Sequence, residues 1–252
     1  MAGHSKWANI KHRKGAQDKK RAKVFTRALK EISVAVKEGG PDEDSNPRLR
    51  LAIQNAKSNN VPKDTIERAV HKASGADADN YEEVAYEGYG PHGIAIYVEC
   101  TTDNINRTVS SVRSIFNKYG GSLGTNGSLD FIFTPKGVFT IEREKIADRD
   151  KEEFELELIE GGVEELEYED DFLTVYTAFE DFGKMNQHLE NLGVDTKSAE
   201  VQRIPNIRKE PELSEAKSIL NIIDKFEDDD DVQNVYHDME LTDEIMEALE
   251  AE

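Results

Sequence analysis

The spacing of the apolar residues changes near Tyr81, and this change constrains the fold more than any other feature. Before Tyr81 the apolar residues recur every three to four positions, as on one face of an α-helix; beyond it they follow the shorter period of β-strands, interrupted by single helices. A chain of 252 residues suggests roughly one to three domains with sizeable cores. The pattern therefore predicts a helical N-terminal domain followed by α+β structure.

Three helices with short connections are predicted in the first domain, over residues 18–38, about 46–60 and about 62–75. Helix start and stop residues mark them: Pro47 follows the capping residue Asn46, and Gly39 and Gly75 end the first and third helices. The first helix places Phe25 and other apolar residues on one side. Residues 1–16 show no periodicity and are predicted to be a basic arm.

The remaining elements predict two α+β domains, one inserted into the other. From Gly137 to Arg203 the order is β-α-β-β-α-β, which is the ferredoxin-like pattern. Two strands, a helix and a strand at 128–133 come before it, and a helix and a strand without partners follow it. The predicted fold class is α+β: an N-terminal three-helix domain followed by two α+β domains, the last a ferredoxin-like β-α-β-β-α-β insertion into the middle one. The predicted boundaries are 1–76 for the arm and bundle, 81–134 with 206–240 for the middle domain, 135–205 for the insertion, joined near Pro135 and Pro205, and 241–252 for an acidic tail.

Charge is distributed very unevenly along the chain. The formal net charge is −20, yet the segment from Lys6 to Lys30 holds ten Lys/Arg residues and a single acid, Asp18. An acidic protein repels nucleic acid on average, so a cationic segment of this kind predicts a local docking surface for phosphate. The candidate nucleic-acid-binding residues are Lys6, Trp7, Lys11, His12, Arg13, Lys14, Lys19, Lys20, Lys23, Arg27 and Lys30.

Two groups within this set are expected to act differently. The cations of the arm would follow one phosphate backbone, while Lys20, Lys23, Arg27 and Lys30 form a stripe opposite the apolar side of the first helix and would face another. The alternative for the stripe is a solvated helix back, but that would carry interspersed glutamates, and Glu31 is the only glutamate before the last turn. Trp7 and His12 could stack on bases; Trp7 could equally anchor the arm on the bundle. Further polar residues that could read bases are Arg48, Arg50, Gln54, Asn55 and Asn59.

Motifs for catalysis, metal binding and cofactor binding are not found. Gly88–Gly93 matches the letters of a dinucleotide fingerprint, but a strand follows it, so a hairpin turn is favoured. Gly120–Gly127 lacks the ending of a P-loop and is read as a flexible connection that could approach an RNA backbone. The histidines show no zinc spacing, and the acidic run Glu227–Asp231 is read as a solvated loop. We therefore expect no catalytic residues, no metal, no cofactor and no enzymatic activity.

Cysteine content and hydropathy bear on localisation. A single cysteine, Cys100, cannot form an internal disulfide and fits a reducing cytosol. No stretch approaches the length of a membrane span, and no apolar secretory signal precedes the first helix. A cytoplasmic protein without a membrane partner is expected. No predicted helix shows the heptad repeat or apolar stripe that an obvious dimer interface would have, so a monomer is favoured.

Three segments together resemble the YebC/PmpR family, whose mitochondrial relatives act as translational activators. They are AGHSKWANIKHRKGAQDKKRAKVFTRALKEI (2–32), AIQNAKSNNVPKDTIERAVHKASG (52–75) and YEEVAYEGYGPHGIAIYVECTTDNINRTVSSVRSIFNKYGGSLGTNGSL (81–129). Residues 130–133 and the acidic tail depart from the usual family pattern. The resemblance implies a three-domain α+β architecture and a cytoplasmic, non-enzymatic regulator of gene expression.

Three functions are weighed. The first is a DNA-binding transcriptional regulator, the usual description of the family; the second is a translation factor that binds ribosomal RNA or the ribosome. Residue chemistry favours the second slightly, because no clear recognition helix is visible and a basic arm suits structured RNA as well as duplex DNA. The third is a protein-interaction module in which the arm is incidental.

Overall fold

The computed structural model describes residues 17–76 and 78–250, which form eight α-helices and two antiparallel four-stranded sheets. The helices are α1 (Gln17–Gly39), α2 (Pro47–Ser58), α3 (Lys63–Ala73), α4 (Ile105–Lys118), α5 (Lys151–Gly161), α6 (Phe182–Asn191), α7 (Leu213–Glu227) and α8 (Asp243–Glu250). The strands are β1 (Glu82–Tyr89), β2 (Ala95–Thr102), β3 (Ser122–Leu123), β4 (Phe133–Glu142), β5 (Val163–Tyr168), β6 (Phe172–Ala178), β7 (Ser198–Pro205) and β8 (Val232–His237). The predicted α+β fold class is confirmed.

The first three helices form a bundle around one apolar core. The apolar side predicted for α1 packs there against Leu49 and Ile53 of α2. Asn46 caps α2, since its side-chain oxygen accepts a hydrogen bond from the Leu49 amide. The same side chain donates to the carbonyls of Ala35 and Gly40 and so holds the end of α1 against the start of α2.

The middle domain is assembled from two distant parts of the chain. Its sheet has the order β3-β1-β2-β8, so the late strand β8 pairs with β2. Helices α4 and α7 contribute to the same core, in which the rings of Phe116 and Phe226 lie 4.8 Å apart. The helix and strand that lacked partners in the sequence therefore complete the first sheet.

The second sheet has the order β5-β6-β4-β7, which is the ferredoxin-like arrangement of a β-α-β-β-α-β unit. Helices α5 and α6 contribute Leu158 and Met185 to its core, beside Phe139 of β4. Strands β4 and β7 are antiparallel and pair from Phe133 opposite Pro205 onward. The two segments that connect this domain to the middle domain therefore start side by side. The boundaries at 134/135 and 205/206 stay predictions.

A strand predicted over 128–133 is wrong, because residues 128–132 form turns instead. The cause is Glu87 of β1, which is 2% exposed. Its carboxylate accepts hydrogen bonds from the amides of Gly127 and Leu129, both at 2.6 Å. A buried carboxylate forty residues away thus fixes a turn, and the two-residue strand β3 takes the sheet edge beside β1.

The predicted acidic tail also contains core residues. Leu241, Ile245 and Met246 are buried in the core of the middle domain; Leu241 lies two residues before α8, and the other two lie in its first turn. The high acid content of the segment had obscured these apolar residues.

We expect Glu87→Ala to lower the free energy of unfolding by about 3 kcal/mol, because the buried amide of Leu129 and the partly buried amide of Gly127 lose their charged acceptor. Urea denaturation of the full chain measures this loss. Glu82→Ala is the matched control, since Glu82 is exposed on the same strand and should change stability by less than about 0.5 kcal/mol. Equal stability of the two variants would show that the carboxylate does not hold the turn.

Candidate nucleic-acid interface

The candidate residues of the arm, Lys6 to Lys14, lie outside the described residues. Lys19 and Lys20 lie in the first turn of α1, and their side chains are also outside the description. The side chains of Lys23, Arg27 and Lys30 are described. These three cations share one side of α1, as predicted, but that side is covered by the acidic loop 227–231 between α7 and β8.

Lys30 is the most buried of the three cations, with 8% of its surface exposed. Its Nζ donates to the carbonyls of Thr101 and Asp230 at 2.9 and 2.7 Å and to Oδ1 of Asp231 at 3.1 Å. An ammonium group has three donors, and all three are used. Lys30 is therefore a structural cation in this arrangement of the domains.

Arg27 and Lys23 continue the same contact toward the start of α1. Nε and Nη2 of Arg27 donate to the carbonyls of Val232 and Glu227 at 3.0 and 3.1 Å. Nζ of Lys23 lies 3.0 Å from Oδ1 of Asp228, and this hydrogen bond lowers the pKa of Asp228. Main-chain carbonyls and carboxylates of the loop thus accept hydrogen bonds from three side chains of α1.

Asp231 links this contact to the middle domain. Its Oδ2 accepts hydrogen bonds from Nη2 of Arg107 at 2.7 Å and from the hydroxyls of Thr108 and Thr102 at 2.9 and 3.2 Å. Burial disfavours the charged carboxylate, but the bonds from Arg107, Thr108 and Lys30 outweigh it and the pKa of Asp231 is lowered. One carboxylate therefore joins α1 to the start of α4.

Lys23, Arg27 and Lys30 were predicted to face phosphate, but in the structure they bind the loop 227–231. The helical period correctly placed them on one side of α1, but it carries no information about what covers that side. The reading of Glu227–Asp231 as a solvated loop holds for the exposed side chains of Asp228 and Asp230 but not for Asp231, which is buried and bound to Lys30. The opposite charges of the two segments were the available signal for this contact.

Helix α2 does not present its polar residues for base reading. Nε2 of Gln54 donates to the hydroxyl of Thr196, and the amide of Asn55 exchanges two hydrogen bonds with the main chain of Ala199. Arg48 binds three carboxylates, which belong to Glu31, Glu38 and Glu83. Of the remaining two, Arg50 donates to the carbonyls of Glu43 and Asp44, and Asn59 donates to the carbonyl of Asn55. Helix α2 therefore mainly serves contacts between domains.

A cavity of about 670 Å³ lies where the three domains meet. Arg27 and Arg203 line it together with Glu99 and Glu200, and burial raises the pKa of both glutamates. Its mixed charge does not favour a phosphate backbone. Cys100 also lines the cavity, and burial raises the pKa of its thiol to about 12, so the thiol is not an activated nucleophile.

Within residues 17–76 and 78–250, no group of three or more His, Cys, Asp or Glu side chains is arranged to hold a metal ion. Among the helices of these same residues, none combines the length and apolar character needed to cross a membrane.

Comparisons with known proteins match nearly the whole chain. Residues 5–76 match a family model described as the TACO1/YebC protein N-terminal domain, and residues 81–239 match one described as the TACO1/YebC second and third domain. A "Probable transcriptional regulatory protein" of Amoebophilus asiaticus is 49% identical over 95% of this chain and 98% of its own length. The protein of the same description from Photobacterium profundum is 50% identical over 99% of this chain and all of its own length.

A similar structure has also been solved. The crystal structure of a conserved hypothetical protein, Aq1575 of Aquifex aeolicus, superposes with a TM-score of 0.83 at 37% identity. It covers 95% of this chain and 98% of that chain. The arrangement of helices and sheets described above is therefore shared with a relative of known structure.

Proposed function

This chain belongs to the TACO1/YebC family, as its sequence resemblance predicted, and from that premise we propose that it regulates gene expression by binding nucleic acid through its N-terminal region. Relatives across the full length are named as transcriptional regulatory proteins, which supports the role of a regulator. The observation that carries nucleic-acid binding is the concentration of positive charge before residue 31 on a chain of net charge −20.

The contacts of α1 narrow the proposed binding residues. Lys23, Arg27 and Lys30 are engaged by the loop 227–231, so they are not counted as phosphate ligands. Six cations remain as proposed ligands: Lys6, Lys11, Arg13, Lys14, Lys19 and Lys20. Trp7 and His12 stay as proposed stacking residues within the arm.

DNA is the first candidate target, because the names of the relatives describe transcriptional regulation. Ribosomal RNA, in the role of a translation factor, is the second. It is favoured by one specific observation: Arg48, Gln54 and Asn55, which could have read bases, are held in contacts between domains. Binding by the arm would then rest on the phosphate backbone and on stacking, which suits folded RNA.

We expect the affinity for nucleic acid to depend strongly on salt. If the six cations neutralise one phosphate each, the plot of log K against log salt concentration has a slope of about −5 on duplex DNA. Titrations at several salt concentrations measure this slope. Lys14→Ala should reduce its magnitude by about 1, whereas Lys184→Ala, on the exposed side of α6, should not change it. An affinity independent of salt contradicts the proposal.

A comparison of targets separates the two candidates. Binding to purified ribosomes and to a promoter-length DNA duplex is measured at the same ionic strength. Tight ribosome binding with weak, sequence-independent duplex binding supports the translation factor; sequence-dependent duplex binding supports the transcriptional regulator. If the protein binds neither, the proposed function fails.

A further inference from the structure

The longest part of this chain without an acidic residue lies in the middle domain, not at the N-terminus. Asp and Glu make up 52 of the 252 residues, yet residues 104–129 contain none. This segment forms α4, the glycine-rich turn that follows it and the edge strand β3. In a protein this acidic, a segment that contains no Asp or Glu is a candidate surface for an anionic partner.

The outer face of α4 carries residues suited to such a partner. The helix buries Thr108, Val112 and Phe116 against the sheet. On the opposite side four polar residues repeat at helical spacing, and all four are exposed: Asn106, Ser110, Arg113 and Asn117. Lys118 lies beside them and is also exposed. By contrast, the exposed face of α5 carries acids such as Glu152 and Glu153.

Arg113 has no partner within the described part of the chain, in contrast to the other arginines whose side chains are described there. Six residues earlier on the same helix, Arg107 binds Asp103 and Asp231 at 2.8 and 2.7 Å. The acids near α4 are therefore already paired with residues on one side of the helix. Asp229, for example, accepts a hydrogen bond from the hydroxyl of Ser111. The guanidinium of Arg113 remains available to an external anion.

The exposed side chains of this surface favour RNA. Besides the two cations, Asn106, Ser110 and Asn117 carry amide or hydroxyl groups on the outer face of α4. A-form RNA presents a wide, shallow minor groove lined with 2′-hydroxyls, which hydroxyl and amide side chains can contact. DNA has no 2′-hydroxyl for these groups to bind.

We propose that the outer face of α4, continued by the turn Gly120–Gly127, binds the phosphate backbone and 2′-hydroxyls of folded RNA. Arg113 and Lys118 would pair with phosphates, and Asn106, Ser110 and Asn117 would bond with ribose. This inference rests on the proposed nucleic-acid binding and names RNA as the target of this surface.

The position of α4 allows one RNA to reach both surfaces. Asp231 binds Lys30 of α1 and Arg107 of α4, so the two helices meet at one carboxylate. From Lys30 the start of α1 is about 20 Å away along the helix axis, at 1.5 Å per residue. That distance is within the length of a short RNA stem.

The test uses the full chain carrying Arg113→Glu and Lys118→Glu. The matched control carries Lys151→Glu and Lys184→Glu, two exposed lysines of the inserted domain with the same change of charge. The probes are an RNA hairpin with a stem of about 20 base pairs and a DNA duplex of the same sequence. We expect the affinity for the hairpin to fall at least about tenfold further than in the control, and the magnitude of the salt slope to fall by about 1.5. Both variants should unfold at the same urea concentration as the parent, since the changed residues are exposed.

Each other outcome overturns a distinct statement. If the α4 variant matches the control while Lys11→Glu with Lys14→Glu abolishes binding, the α4 surface is overturned and the proposed function stands. If the α4 variant loses DNA binding as much as RNA binding, the assignment to RNA is overturned. If neither the α4 nor the arm variant changes binding, or the parent binds neither probe, both proposals are overturned.

Discussion

Replacing Asp231 by alanine is expected to lower the free energy of unfolding by about 3–5 kcal/mol, the cost of leaving a buried charge without its partner. The side chain of Lys30 is 9% exposed and that of Asp231 10% exposed, and they form an ion pair at 3.1 Å. Without Asp231, the ammonium of Lys30 keeps only two carbonyls, and Thr108 loses its carboxylate acceptor. The expected result is loosening of α1 from the middle domain, measured by urea denaturation and by hydrogen exchange along α1.

Asp230→Ala is the matched control for this prediction. Asp230 is the adjacent acid, its side chain is exposed, and it binds Lys30 only through its carbonyl, which alanine retains. A change of less than about 0.5 kcal/mol is expected. If Asp231→Ala is no more destabilising than Asp230→Ala, the carboxylate is not what fastens α1.

Acid should reduce the difference between the parent and Asp231→Ala. The pKa of Asp231 is lowered in the folded protein, so its stabilising effect is present above the unfolded value of about 4 and disappears as the pH falls through the folded value. Denaturation curves at neutral pH and below about pH 3 provide this comparison. A difference that stays constant over the whole range would contradict a role for the ionised carboxylate.

The second large effect concerns nucleic acid. Replacing Lys11, Arg13 and Lys14 together by glutamate is expected to weaken binding by at least about a hundredfold near physiological salt, because three phosphate contacts become three repulsions. Affinity for an RNA hairpin and for a DNA duplex is measured by titration at fixed ionic strength. The loss should shrink as salt is raised, because screening weakens the repulsion.

A control with the same change of charge separates a local contact from general repulsion. Lys145, Lys151 and Lys184 are exposed in the inserted domain, and their replacement by glutamate should weaken binding only a few-fold. Equal losses in the two triple variants would show that the arm is not the binding surface. Unchanged regulation in cells carrying the arm variant would favour the protein-interaction module instead. Charge reversal at Lys30 is unsuitable for this purpose, because it would also break the contact with Asp231.

Much of the fold could be predicted because its elements are local. The capping residue Asn46, the glycines that end helices and the β-α-β-β-α-β order between Gly137 and Arg203 each depend on a few neighbouring residues. The error at 128–133 arose where a distant residue, Glu87, supplied the decisive hydrogen bonds. Leu241 was misjudged for the same reason, since its burial depends on a core built by other segments.

The candidate site was predicted less completely. Composition alone identified the cationic N-terminal region, and the period of α1 correctly placed Lys23, Arg27 and Lys30 on one side. Nothing within α1 indicates that the loop ending in Asp231, two hundred residues later, covers that side. The exposed face around Arg113 was likewise not recognised, because its significance depends on which acids lie near it in space.

The amino-acid sequence by itself determined the helices, most of the strands, their order and the uneven distribution of charge, since hydrophobic period, capping residues and residue counts are properties of the chain. The tertiary structure alone decided which cations face solvent and which bind carboxylates and carbonyls of the same chain. The physical reason is that periodicity sets the direction of a side chain relative to its own helix, whereas its partner is set by packing between segments far apart in the chain.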